Sequence, residues 1–161
     1  MKGVKVLFVI LFCALVYSSA CAQNDNKNAI GLRLADSNGF GAEISYQRDI
    51  LDKNRIEIDF GWRNGNDFDG IKAMAIYQWV WNIKNGLYWY TGPGAGFASY
   101  KFSNNYSDSF PIIGGDIGIE YRFDFPLQLS FDIRPELGFG DDVVDNNDLD
   151  FDLGLGIRYR F

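Results

Sequence analysis

The stretch Leu149-Asp150-Phe151-Asp152-Leu153-Gly154-Leu155-Gly156-Ile157-Arg158-Tyr159-Arg160-Phe161 decides how the rest of the chain is read. Leu149, Phe151, Leu153, Leu155, Ile157, Tyr159 and Phe161 fall on one parity, and Asp150, Asp152, Gly154, Gly156, Arg158 and Arg160 on the other. A period of two places the sets on opposite faces of a β-strand. Upstream, Leu127, Leu129, Phe131, Ile133 and Leu137 oppose Gln128, Ser130, Asp132, Arg134 and Glu136. Ile113, Ile117, Ile119, Tyr121, Phe123 and Phe125 oppose Asp116, Glu120, Arg122 and Asp124. Ile56, Ile58, Phe60 and Trp62 oppose Glu57, Asp59 and Arg63, and Ile30, Leu32 and Leu34 oppose Arg33. Ile44 and Tyr46 oppose Glu43 and Gln47.

Eight strand segments are expected, at 28–35, 40–48, 55–63, 70–81, 87–98, 111–125, 127–137 and 149–161. The fourth and fifth are the least regular. With Ala73, Ala75, Tyr77, Trp79 and Trp81 on the apolar face, Lys72 and Gln78 share the other with Met74, Ile76 and Val80, where Gly92, Gly94 and Gly96 also fall. Short links at Asp49–Asn54, Asn82–Gly86 and around Pro126 alternate with others at Asp36–Gly39, Asn64–Asp69, Ser99–Phe110 and Gly138–Asp148.

Alternation alone does not say which face looks inward, but three observations do. Gly92, Gly94, Gly96, Gly114, Gly118, Gly154 and Gly156 share the charged face. A solvated strand gains nothing from them, whereas the bore of an eight-stranded barrel needs small residues mixed with large. Tyr46, Tyr77, Trp79, Trp81, Trp89, Tyr121, Phe123, Tyr159 and Phe161 gather toward one end, and Phe40, Trp62 and Phe97 toward the other. Two such belts match the two interfaces of a bilayer. Most segments also reach the nine to eleven residues that a tilted strand needs to cross hydrocarbon. The expected fold is therefore all-β: a closed eight-stranded antiparallel up-and-down transmembrane barrel with a polar, side-chain-filled interior. Charges sealed inside must pair. Arg33, Arg63, Lys72, Arg122, Arg134, Arg158 and Arg160 are expected to form an ion-pair network with Glu43, Glu57, Asp59, Asp116, Glu120, Asp132, Glu136 and Asp152.

The first 22 residues read differently. Lys2 and Lys5 precede an apolar run from Val6 to Val16, and Ala20-Cys21-Ala22 closes a small, polar segment. These are the three parts of a secretory signal peptide, so residues 1–22 are expected to be removed and 23–161 to form the barrel domain. Ser18, three residues before Cys21, disfavours a lipoprotein signal. Cleavage after Ala22 removes both cysteines, Cys13 and Cys21, and with them any disulfide or thiol chemistry. Loss of Lys2 and Lys5 leaves 13 basic residues of the original 15 against 21 acidic ones, a net charge of −8. So acidic a chain is unsuited to binding nucleic acid through its phosphates.

Three stretches, Tyr88–Phe97 (YWYTGPGAGF), Gly118–Phe123 (GIEYRF) and Leu127–Pro135 (LQLSFDIRP), resemble the small outer-membrane barrels of OmpA-transmembrane or OmpX type, particularly those of Bacteroidetes. The ending Arg158-Tyr159-Arg160-Phe161 is similar to the terminal aromatic signal that barrel-assembly machinery recognises in such proteins. The resemblance implies a bacterial outer-membrane location among lipid and lipopolysaccharide, and contact with the assembly machinery through Phe161. With an even strand count, both termini are expected on the periplasmic side. A monomer is expected.

Catalysis is not expected. Barrel enzymes that act on lipids use a Ser activated by a His, and the chain has no His. Asp141, Asp142, Asp145 and Asp148 lack the ordered spacing of a calcium loop, and Asn66, Asp67 and Asp69 before Gly70 read as a turn, so no metal or cofactor is expected. The Asn105-Tyr106-Ser107 sequon is without meaning in a bacterial chain. Open aqueous channels belong to barrels of about sixteen strands, which excludes a general porin. The expected role is structural or one of surface interaction, through outward loops at 99–110 and 138–148. The alternative is a soluble periplasmic, lipocalin-like barrel holding an apolar ligand, with the two faces reversed.

Overall fold

The computed structural model describes residues 26–36, 40–64, 68–102, 107–140 and 149–161. Within them the strands are β1 (Asn28–Asp36), β2 (Phe40–Leu51), β3 (Asn54–Asn64), β4 (Phe68–Lys84), β5 (Leu87–Phe102), β6 (Ser107–Arg122), β7 (Leu127–Gly138) and β8 (Leu149–Arg160). Each pairs antiparallel with its sequence neighbours, and β8 returns to β1 to close the barrel. The seam runs from Ala29↔Arg160 to Asp36↔Leu153, and it continues past the strand ends where the Asn28 and Phe161 backbones exchange hydrogen bonds of 3.0 and 2.8 Å. Closure leaves no open sheet edge, which an apolar solvent would punish with unpaired N–H and C=O groups.

The links at one end are tight. Asp52-Lys53 joins β2 to β3 and Asn85-Gly86 joins β4 to β5. Asn85 (φ 44°) and Gly86 (φ 83°) both occupy the left-handed region that a type I′ hairpin demands, and Asn-Gly is the pair that reaches it most easily. Gaps in the ladder fall at two prolines, with the register unchanged across each. The β4–β5 pairing passes from Ile76↔Gly94 to Trp79↔Thr91 around Pro93, and β6–β7 passes from Gly114↔Glu136 to Ile117↔Ile133 around Pro135. Proline has no N–H to give to the ladder.

The face assignment holds around the barrel. On β8, Leu153, Leu155 and Ile157 point outward at 46, 62 and 50% exposure, while Arg158 is 1% exposed inside. On β4 the expected phase is found: Met74, Ile76 and Val80 are buried beside Lys72 and Gln78, and Ala73, Ala75 and Trp79 face out. The reversed arrangement of a soluble ligand-holding barrel is not the one the chain adopts. Outward aromatics crowd the turn end, where Trp81 stacks on Trp89 at 4.4 Å and Tyr121, Phe123 and Phe125 form a chain of ring contacts. Trp62, Phe97 and Phe151 stand outward near the other end.

Several boundaries differ from expectation: β2 runs to Leu51 rather than 48, β4 spans Phe68–Lys84 rather than 70–81, and two further differences have a clear cause or consequence. The sixth strand ends at Arg122 rather than 125, because the chain bends at 124–126, where Leu127 N donates to Phe125 O at 2.6 Å. The segment 99–110, expected as a loop, is mostly strand: β5 and β6 extend through Ser99↔Ser109, Tyr100↔Asp108 and Lys101↔Ser107. Phe110 is buried inside, with its ring 5.7 Å from that of Tyr100. Asp141, Asp142, Asp145, Asp148, Asn66, Asp67, Asn105 and Tyr106 lie outside the described residues, as do residues 1–25.

Candidate functional site

The polar content of the chain converges on the bore. Strand alternation sends every second side chain inward, and eight strands bring opposite walls close enough for those side chains to meet. Toward the end away from the tight turns, Lys72 on β4 reaches across to Glu136 on β7 at 2.5 Å and to Asp152 on β8 at 3.0 Å. Arg63 bridges Asp152 at 2.5 Å and Glu43 at 2.6 Å, and Arg33 bonds Glu43 at 3.1 Å and Asp132 through both Nε and Nη2.

At mid-height Arg134 donates to Asp59 at 2.7 Å and to Glu57 at 2.8 Å, from β7 across the bore to β3. Asp132 and Asp116 lie 3.4 and 3.6 Å from its Nε. Glu57 is the hub below. It accepts from Arg158 at 2.6 Å, Gln47 at 2.7 Å, Gln78 at 2.9 Å and Ser45 at 3.2 Å as well as from Arg134. Nearer the turns, Arg55 donates to Glu120 at 2.7 Å and Gln78 at 2.6 Å, and Arg122 joins Glu120 at 2.6 Å.

Every member of the expected network except Arg160 is thus joined to an ionic or hydrogen-bonding partner among the residues named. Arg160 stands at the mouth, where its Nη2 donates to the Asn26 carbonyl at 3.1 Å. Charges this deep are tolerable only because they are mutually compensated, since an unpaired one loses several kcal/mol of hydration with nothing in return.

Glycines set where this network fits. An added Cβ at Gly154 would occupy the place of the Arg33 guanidinium, and one at Gly118 would occupy that of the Tyr90 ring. The steric reason for glycine on the charged face is therefore specific: it is the seat of a large lumenal side chain from a facing strand. At the end away from the tight turns the β5–β6 wall is apolar inside, with Ala98, Phe110 and Ile112 packed together and Tyr100 against them.

Sequence reasoning missed several lumenal residues. Arg55 sits directly beside a turn and is absent from the expected set of inward charges, yet it is 1% exposed. Its parity with Glu57 and Asp59 was the available signal. Tyr90 is fully buried in the bore, with the Arg55 guanidinium 4.9 Å from its ring centroid, although its neighbours belong to the outward aromatic belt. Gln78 and Gln128 act as connectors, Gln128 joining Gln47 at 2.8 Å to Glu120 at 3.0 Å.

The sequence matches no protein-family profile and no curated protein. Solved structures do match in fold, and they are outer-membrane β-barrels. Neisserial surface protein A superposes with a TM-score of 0.62 at 16% identity, over 83% of this chain and 94% of that one. The N-terminal β-barrel domain of Pseudomonas aeruginosa OprF gives 0.62 at 16% identity, over 86% of this chain and all of that one (100%). A major outer membrane protein from Thermus thermophilus gives 0.56 at 14% identity, over 84% of this chain and 98% of that one. The fold is that of the small outer-membrane barrels.

Proposed function

We propose that the chain is an integral barrel of the bacterial outer membrane that serves a structural or surface-interaction role, without catalysis and without an open pore. The observation that carries this reading is the inversion of its faces: Leu32, Ile58, Ile117 and Leu155 lie outward at 51, 51, 51 and 62% exposure, while Arg33, Glu57, Asp132 and Arg134 are fully enclosed. Water would reject such a surface, whereas lipid tails match it. The ion pairs that cross the bore from β3 to β7 and from β4 to β7 support a plugged lumen rather than a channel.

In this reading residues 1–22 direct export and are removed, and both termini are periplasmic. In the same reading an extracellular partner would be met through the segments at 99–110 and 138–148. The barrel stands as a monomer among lipid and lipopolysaccharide, and Phe161 presents the assembly signal. Its backbone position at the seam, beside Asn28, suits a residue that must be delivered before the barrel closes. The resemblance to Bacteroidetes barrels supports an origin in that group.

The test is fractionation of expressing cells with protease added to intact cells. The expected result is protein in the outer-membrane fraction that migrates faster unboiled than boiled and is cut within 138–148 from outside. Recovery as a soluble protein without detergent, or cutting only after the outer membrane is breached, would contradict it.

A further inference from the structure

At the turn end of the barrel the bore opens into a cavity of about 760 Å³, walled in part by Lys27, Asp49, Asp52, Lys53, Arg122 and Arg160. A second space of about 320 Å³ adjoins it, sharing Arg122 and adding Trp81 and Tyr88. Four cations thus meet two carboxylates here, in a chain whose formal net charge is −6. The local excess is positive where the whole is negative.

The arginines are placed rather than loose. Arg122 is anchored through Nε to Glu120 and lies 4.3 Å over the Tyr88 ring, an arrangement that fixes the guanidinium while leaving its outer edge toward the cavity. Besides Glu120, the carboxylate beside it is Asp49, 3.8 Å from Nη1 and beyond hydrogen-bond range. Arg160 donates to a neutral carbonyl, that of Asn26, with no carboxylate within hydrogen-bond distance among the described residues. A narrow recess leads inward past both to Arg55. Arg55 is 1% exposed, and its Nη2 has no hydrogen-bond partner among the described residues. Such a buried, unmatched donor at the floor of a cationic mouth is a second and independent mark of an anion site.

We propose that this mouth binds a phosphate-bearing anion, held between Arg122 and Arg160 with Arg55 beneath. Guanidinium groups from β3, β6 and β8 line one recess together, and a phosphate group, with several charged oxygens, can accept from more than one of them. Two sources offer that chemistry, a phospholipid head group curling round the rim past Trp81 and a soluble phosphate compound. The site depends on the barrel and not on its direction in the membrane, so it stands or falls apart from the assignment of function.

The test uses the full chain folded in phosphatidylcholine nanodiscs, titrated calorimetrically with inorganic pyrophosphate at ionic strength held constant with chloride. A second arm uses nanodiscs containing phosphatidylglycerol, with retained lipid read by native mass spectrometry. R122Q and R160Q are expected to weaken binding of the occupying probe about tenfold or more, as loss of a charge-assisted hydrogen bond does. D49N, which removes the competing carboxylate, is expected to tighten it severalfold. Heat-modifiable gel mobility checks that each variant is folded. Arginine-dependent binding of pyrophosphate assigns the soluble source, and arginine-dependent retention of phosphatidylglycerol assigns the lipid. If neither probe is bound in a way that R122Q and R160Q reduce, or if D49N leaves binding unchanged, the proposal fails.

Discussion

Replacing Arg134 with Gln is the sharpest way to ask whether the lumenal network holds the barrel together. Arg134 is 0% exposed, and among the described residues it is the cation within hydrogen-bond distance of Asp59. Glu57 keeps Arg158 when Arg134 is lost, but Asp59 keeps no cation within hydrogen-bond distance among the described residues, and Asp116 loses its nearest positive neighbour. At an effective dielectric constant of about 20, a contact of 2.7 Å is roughly 6 kcal/mol of gross attraction, most of it offset by the desolvation of both groups. What the variant exposes is that desolvation without its compensation, so R134Q is expected to cost about 3–5 kcal/mol. Urea unfolding in lipid vesicles, followed by tryptophan fluorescence and by unboiled gel mobility, measures it. The double variant R134Q/D59N removes the stranded charge and is expected to recover a good part of the loss. A single-variant cost below about 1 kcal/mol, or a double variant no more stable than R134Q, would refute the reasoning.

Further outcomes follow from particular side chains. L155R puts a guanidinium on the outward face near the middle of β8 and is expected to destabilise the barrel in vesicles by about 2–4 kcal/mol, with less effect near either rim. G154V drives a branched side chain into the seat of the Arg33 guanidinium, and an overpacking cost of at least about 1–3 kcal/mol should appear as a lower urea midpoint. N85A forces a non-glycine Cβ without a helping amide into φ 44°, which is expected to cost roughly 1–2 kcal/mol and to slow refolding into vesicles, read by the rate at which the fast-migrating form appears.

Much of this architecture was legible because a barrel wall is one strand pattern repeated. Leu149 to Phe161 alone gives both faces, and the glycines on the charged face, Gly154 and Gly118 among them, indicate that this face is inside. What escaped reading lies where the pattern loses contrast. Ser99 to Phe102 and Ser107 to Phe110 are polar enough to pass for loop, yet paired backbones extend β5 and β6 through them, and Phe110 turns inward rather than to solvent. Phe123 and Phe125 keep the alternation but lose the strand, because the bend before Leu127 overrides local side-chain preference. The lumenal pairs joining β3 to β7 bring together residues such as Asp59 and Arg134 that are 75 positions apart. No local spacing records which cation meets which carboxylate; only closure of the sheet decides it. Tyr90 was hidden for another reason: a tyrosine between Trp89 and Thr91 carries no sign of which wall it serves, and only its parity with Gly92 and Gly94 places it in the bore.

The most direct measurement is fluorescence from a label attached at L155C, compared with one at D152C, in vesicles of brominated lipid and with iodide in the water phase. With outward Leu155 and enclosed Asp152, the first label is expected to be quenched strongly by bromine and hardly by iodide, and the second variant to label poorly in the folded state. Bromine-insensitive, iodide-quenched fluorescence from position 155 would show that the apolar wall does not meet lipid.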